Sequence, residues 1–231
     1  TIMTNIAGTQ HILDYAIKAN SEKVLFLSTV EIYGENRGDL DKFTEDYCGY
    51  IDCNTLRAGY PEGKRASESL CQAYIQKYGI DVVIPRISRT FGPTMLLSDS
   101  KASSQFIMNA VHKENIVLKS AGTQLYSYAY VADIVSALLF LLVKGQKGEA
   151  YNVSNEHCDI TLRTFAETLA NVAGTKVIHG EATAQEKQGF SKATKALLDN
   201  QKIYALGWRP LYDSMEEPLK HTIKILESSG N

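Results

Sequence analysis

The sequence is poor in cysteine, nearly balanced in charge and free of long apolar runs. Each shortage excludes something. Its 231 residues hold four cysteines, Cys48, Cys53, Cys71 and Cys158, with no CxxC and no zinc-ligand spacing. That argues against a structural zinc site or a disulfide-built scaffold. The spacing of Cys48 and Cys53 permits a bridge, but free thiols in a reducing cytoplasm are the expected state. A net charge of −2 gives no field to draw nucleic acid or an anionic membrane. The most apolar stretch, 134–143, is far shorter than the ~20 residues of a membrane span and reads as a buried helix. No basic segment followed by an apolar run opens the chain, so no secretory leader is expected. There is no internal repeat and no low-complexity segment.

The rest is ordinary for a globular protein, with 44% hydrophobic and 22% charged residues, and the length suits one sizeable domain or two small ones. Hydrophobic periodicity predicts a helix over 5–20 and a short buried strand over 24–28 (VLFLS). A long polar loop over 35–58 follows, then a helix over 60–78 with Gly79 as a left-handed cap. A second buried strand covers 81–87 (DVVIPRI). Strand, loop, helix and strand in this order are the grammar of a parallel α/β sheet, whose ligands gather at the carboxyl ends of the strands. Thr29 and Arg89 both fall just after strand ends, so both segments are expected to point at one crevice. Downstream, helices are expected over 104–112, 132–143, 162–173 (capped by Thr161), 195–206 and 218–226. Short strands are expected over 116–118 and 150–153, with an extended aromatic segment over 126–131.

Tyr60 and Lys64 are four apart, which puts them on one helical face. An ammonium beside a phenol favours the phenolate, so the expectation is a tyrosine with a lowered pKa that serves as a general base toward an alcohol. The spacing by itself also suits a plain surface pair. Its context adds Thr29, a hydroxyl at a strand end about thirty residues upstream, and Glu31, a carboxylate two residues further on.

Several segments carry a family resemblance. Ser28–Gly34 (STVEIYG) resembles the STxEVYG segment of extended short-chain dehydrogenases that act on nucleotide sugars. Residues 57–65 (RAGYPEGKR) are similar to the RAxYxEGKR segment of UDP-glucuronate decarboxylases, and 86–93 (RISRTFGP) to that family's RIFNTFGP. Asn5–Thr9 resembles NxxGT, 130–133 YVxD and 206–208 LGW, all in the same order across nearly the whole chain. The resemblance implies an α/β fold: part of a Rossmann-like parallel sheet with helices on both faces, over 1–93, and a small α-rich substrate lobe, mainly over 94–231, with some segments returning to the first domain. It implies an NAD-dependent nucleotide-sugar epimerase, dehydratase or decarboxylase working through a 4-keto sugar, with a UDP-sugar favoured. Thr29, Glu31, Tyr60 and Lys64 are then the catalytic residues. Leu27, Ser28, Tyr60, Lys64 and Ile87 face the cofactor, and Thr29, Arg89 and Tyr126 face the substrate. In that reading Tyr60 takes the proton of the sugar 4-hydroxyl, Lys64 holds the nicotinamide ribose, Thr29 bonds the reacting oxygen and Glu31 serves a second proton transfer. A homodimer through helices 5–20 and 60–78 and a cytoplasmic location are also implied, with no metal, nucleic acid or membrane partner.

The sequence departs from the family in three places. No GxxGxxG phosphate loop precedes Thr1, so the expectation is that about a hundred residues of the doubly wound domain are absent and that this chain alone binds NAD poorly. Tyr126 stands where many relatives carry an arginine, which argues against simple UDP-glucuronate decarboxylation. Arg89 replaces the asparagine of RIFNTFGP, and its guanidinium suits a diphosphate. An NAD(P)-dependent reductase on the same fold and a truncated non-catalytic paralogue are the alternatives.

Overall fold

The computed structural model describes residues 1–96, 98–99, 101–183 and 193–229. In chain order the elements are α1 (Ile2–Lys18), β1 (Val24–Leu25), β2 (Ser28–Thr29), a 3₁₀ turn (Val30–Tyr33), α2 (Gly59–Tyr78), β3 (Val82–Ile87), β4 (Arg89–Phe91) and α3 (Ala102–Val111). Next come β5 (Ile116–Leu118), β6 (Leu125–Tyr130), α4 (Val131–Lys144), β7 (Ala150–Val153), a second 3₁₀ turn (Glu156–Cys158), β8 (Asp159–Thr161) and α5 (Leu162–Ala173). β9 (Val177–His179), β10 (Lys195–Ala196), α6 (Gln201–Ala205) and α7 (Glu216–Ser228) complete the described chain. Two units result, each assembled from discontinuous segments. The first holds Thr1–Ser88, Ile134–Ser154 and Leu198–Arg209, and the second Arg89–Asp133, Asn155–Leu197 and Pro210–Asn231.

The first unit is a parallel sheet with β3 in the middle. β1 and β2 run along one side of β3, with Val24 opposite Val82 and Thr29 opposite Ile87, and β7 runs along the other. α1 and α2 pack on each other through Leu13 and Ala16 of one and Cys71 and Tyr74 of the other, and this layer sits on Val82 and Ile84 of β3. The apolar residues recur at helical spacing, and burying that face supplies most of the helices' stability. Gly79 ends α2 in the left-handed conformation, with its N–H on the Ile75 carbonyl.

The second unit is built round β6, which pairs in parallel with β4 and β10 and antiparallel with β8. β5 and β9 form a separate parallel pair. Thr161 caps α5, its hydroxyl accepting from the Thr164 N–H, and Phe165 packs against Phe91 and Tyr128.

Three sequence expectations need correction. The 24–28 strand is neither continuous nor fully buried. It divides into β1 and β2, leaves Leu27 42% exposed, and pairs only with β3 among the described residues. Its apolar run reads as buried on both faces, but it lies at a sheet edge. Helix α4 is not buried all round: Ile134, Ala137 and Leu141 are buried, while Val135, Leu139, Leu142 and Val143 are exposed. Apolar residues fill both its faces, and periodicity cannot tell which one the sheet takes. Within 195–206, Lys195–Ala196 is a strand, and only Gln201–Ala205 is helical. The loop over 35–58 holds no helix or strand, as expected, and it is packed: Phe43 is wholly buried and stacks on Tyr33 and Tyr47 with ring centroids 4.9 and 5.3 Å away. The four cysteines are free, Cys71 and Cys158 buried, Cys48 and Cys53 exposed. No helix among the described residues is long and apolar enough to cross a membrane.

Candidate active site

Thr29 is the last residue of β2 and also caps the 3₁₀ turn, its hydroxyl accepting from the Glu31 N–H at 3.3 Å. That turn carries Glu31 and ends at Gly34, whose φ of 64° favours glycine. A Cβ on Gly34 would meet the Tyr50 carbonyl oxygen at 1.8 Å. Glycine there lets residue 50 close on the turn through Glu35 N–H to Tyr50 O (2.9 Å) and Tyr50 N–H to Tyr33 O (3.1 Å).

Tyr60 lies in the first turn of α2 and Lys64 one turn on, as expected. The Tyr60 phenol is within hydrogen-bonding reach of the Thr29 side chain. Its pKa is raised: partial burial pushes it up and Glu31 adds to the rise, while the Thr29 bond pulls it down. This corrects the expectation that Lys64 lowers it. The Lys64 ammonium instead donates to the Leu27 carbonyl at 2.9 Å and lies 5.0 Å from the Phe26 ring centroid. Its own pKa is lowered, chiefly by burial. Leu27 lies between β1 and β2, outside both strands.

Ser28 and Ile87 sit beside Thr29, Ser28 next in sequence and Ile87 directly across on β3. The Ser28 hydroxyl is buried and has no hydrogen-bond partner. An orphaned buried hydroxyl costs on the order of 1–3 kcal/mol, so Ser28 could bond a polar group of a cofactor here. Thr29, Glu31, Tyr60, Lys64, Leu27, Ser28 and Ile87 all belong to the first unit.

Arg89 and Tyr126 belong to the second unit, on the paired strands β4 and β6. The Arg89 guanidinium carbon lies over the Tyr126 ring, 3.5 Å from its centroid, and Tyr126 is itself held by its hydroxyl on the Ala193 carbonyl at 2.8 Å. Among the described residues Arg89 meets this ring and no carboxylate.

Sequence reading missed Arg86. Its guanidinium forks onto both carboxylate oxygens of Glu68 (3.1 and 2.7 Å) and reaches the Tyr33 hydroxyl at 2.9 Å and the Glu45 carbonyl at 2.7 Å. The available signal was an arginine inside an apolar strand, which calls for a buried partner.

A tyrosine and lysine one helical turn apart, beside a strand-end hydroxyl on a parallel α/β unit, are the arrangement of the extended short-chain dehydrogenase/reductase class. Residues 1–154 match the NAD dependent epimerase/dehydratase family, and the chain belongs to that family. It is 31% identical to UDP-glucuronic acid decarboxylase 1 of Xenopus tropicalis over 237 residues, covering 100% of this chain and 54% of that protein. The chain thus spans about half the length of this curated relative. A crystal structure of dTDP-glucose 4,6-dehydratase from Streptomyces venezuelae, with NAD bound, superposes with a TM-score of 0.81 at 26% identity, covering 98% of this chain and 66% of that one. UDP-glucose 4-epimerase of Thermotoga maritima superposes at 0.85 with 23% identity, covering 100% and 71%, a likeness of fold.

Proposed function

We propose that the protein carrying this chain is an NAD-dependent enzyme that modifies a nucleotide sugar through a 4-keto intermediate, with Tyr60 as its general base. The observation that carries the reading is the Tyr60 phenol beside the Thr29 hydroxyl, one helical turn from a lysine tied to the Leu27 carbonyl.

The chain's residues fit the nicotinamide end of the cofactor. Ser28 offers an unsatisfied buried hydroxyl, Lys64 a half-buried ammonium, and Leu27 an exposed apolar side chain at the edge of the sheet. Bound NAD supplies the hydride acceptor and donor at the sugar C4. Tyr60 takes the proton of the 4-hydroxyl, and Thr29 holds the same oxygen by a hydrogen bond. Lys64 orients the nicotinamide ribose. The keto group acidifies C5, where Glu31, two residues beyond Thr29, serves the second proton transfer. Arg89 anchors an anionic group of the substrate. Its planar fork, laid on Tyr126, keeps its N–H edges free for a diphosphate or a carboxylate. The names of relatives at 28–33% identity, which include UDP-glucuronic acid and dTDP-D-glucose, support a nucleotide sugar, with UDP favoured.

We further read the protein as a cytoplasmic homodimer joined through α1 and α2. Ile12, Tyr15 and Tyr78 leave large apolar surface on these helices, and the four free thiols suit a reducing compartment. Turnover by a Tyr60→Phe variant of the full-length protein tests the function. Loss of turnover with retained fold supports it, and an undiminished rate refutes it.

A further inference from the structure

We propose that Arg86 is the positioning residue of this site: it ties the turn that carries Glu31 and the helix that carries Tyr60 to one strand of the sheet. The proposal rests on the reading of Tyr60 as general base. Arg86 lies on β3 directly opposite Ser28, one residue before the row that holds Thr29. Its side chain and that of Glu68 are each only 12% exposed. Glu68 follows Tyr60 and Lys64 at intervals of four, so the three share one face of α2. A two-pronged bond from Arg86 to Glu68 therefore fixes the rotation and height of the helix that presents Tyr60. The same guanidinium bonds the Tyr33 hydroxyl, and Tyr33 closes the 3₁₀ turn two residues after Glu31. Tyr33 in turn donates to the Asn152 side chain on β7 at 2.7 Å. The fourth contact, to the Glu45 carbonyl, seats the long loop beneath the turn.

Stability alone does not require this arrangement. A buried ion pair recovers little more than its own desolvation, and packed apolar residues often serve as well. What an apolar cluster lacks is direction. The planar fork of arginine holds two partners at fixed angles, which lysine cannot reproduce. Positioning matters at a proton-transfer site because a displacement of about 1 Å in reacting groups can cost on the order of a hundredfold in rate.

Two variants of the full-length protein test this: Arg86→Lys, which keeps the charge and loses the fork, and Tyr33→Phe, which removes one hydroxyl from a ring that stays packed. Each is expected to lower kcat by about tenfold or more while KM stays within about twofold. In both, the pH limb of kcat assigned to Tyr60 should move to higher pH as the Thr29 contact loosens. A merely structural role would lower the thermal midpoint but leave kcat per folded molecule and the pH limb in place, and that result overturns the proposal. If Arg86→Lys does not fold, the Tyr33→Phe kinetics decide. Tyr60→Phe is the reference. If it is inactive while both other variants run at the parent rate, only the positioning role fails, whereas an active Tyr60→Phe removes the catalytic reading and this proposal with it.

Discussion

Lys64 reaches the Leu27 carbonyl, between β1 and β2, at 2.9 Å, while the Tyr60 phenol one turn earlier finds the Thr29 side chain. The two residues are neighbours on α2 with different partners. In the ligand-free chain the Tyr60 phenol is therefore governed by burial first, then by Thr29 and Glu31. In the ligand-free chain, Lys64→Ala should leave the titration of the Tyr60 phenol in place, since the ammonium is not what sets it. Ultraviolet titration of the variant against a Tyr60→Phe background checks this. A clear displacement to higher pH would show direct lysine–phenolate coupling.

Arg89, stacked on Tyr126, is expected to act on binding rather than on chemistry. Arg89→Ala in the full-length protein should raise KM for the nucleotide sugar by roughly 10- to 100-fold, the loss of about 1.5–3 kcal/mol of charge-assisted bonding. The change in kcat should be much smaller. Steady-state kinetics separate the two, and an unchanged KM removes Arg89 from the substrate's anchor.

Phe43 gives the sharpest stability test. It lies in a stretch whose composition suggests a solvated loop, yet it is wholly buried between Tyr33 and Tyr47. Phe43→Ala should cost about 3–5 kcal/mol, as for other buried aromatics. Chemical denaturation of the chain reads it directly, and a loss under about 1 kcal/mol would mean that the loop does not pack in solution.

How much of this was legible in the sequence depends on the range of the interactions. The strands Ile116–Leu118 and Ala150–Val153 and the helix Leu162–Ala173 match the sequence reading residue for residue. Each is set by local signals: an apolar triplet, a short run rich in apolar residues, a Thr161 cap and a closing glycine. Tyr60 and Lys64 were legible as a pair because four-residue spacing is a property of one helix. The motif context placed Thr29 with Tyr60, but the bond from Lys64 to the Leu27 carbonyl was not legible, because it joins residues 37 positions apart. The Arg86 cluster was least visible: its bonds join residues 18, 41 and 53 positions apart, and no local pattern encodes them. The burial of β1 and of α4 was misjudged for a related reason, since apolar content says that a segment suits a core and not which of its faces one covers.

Alkaline pH should weaken the fold. Burial pushes the Cys71 thiol up to about 12 from an ordinary 9.0, and it raises the Tyr33 phenol as well, against the pull of Arg86. The native state holds these protons more tightly than the unfolded chain does. Their contribution is thus fully present below the unfolded pKa values and is lost as pH rises toward the folded ones. The thermal midpoint should be level from about pH 7 to about pH 8.5 and fall beyond about pH 9, with a shallower fall in Cys71→Ala. A midpoint independent of pH up to about pH 11 would contradict the burial of both groups.

The central claim is that Tyr60 moves the proton of the sugar hydroxyl. Its most direct test is single-turnover hydride transfer from a nucleotide sugar in the full-length protein, followed by the absorbance of reduced cofactor, with Tyr60→Phe beside the parent. The account predicts that the variant keeps its fold and its substrate affinity while the transfer slows by roughly 10²–10⁴-fold. Transfer at the parent rate in Tyr60→Phe would contradict it.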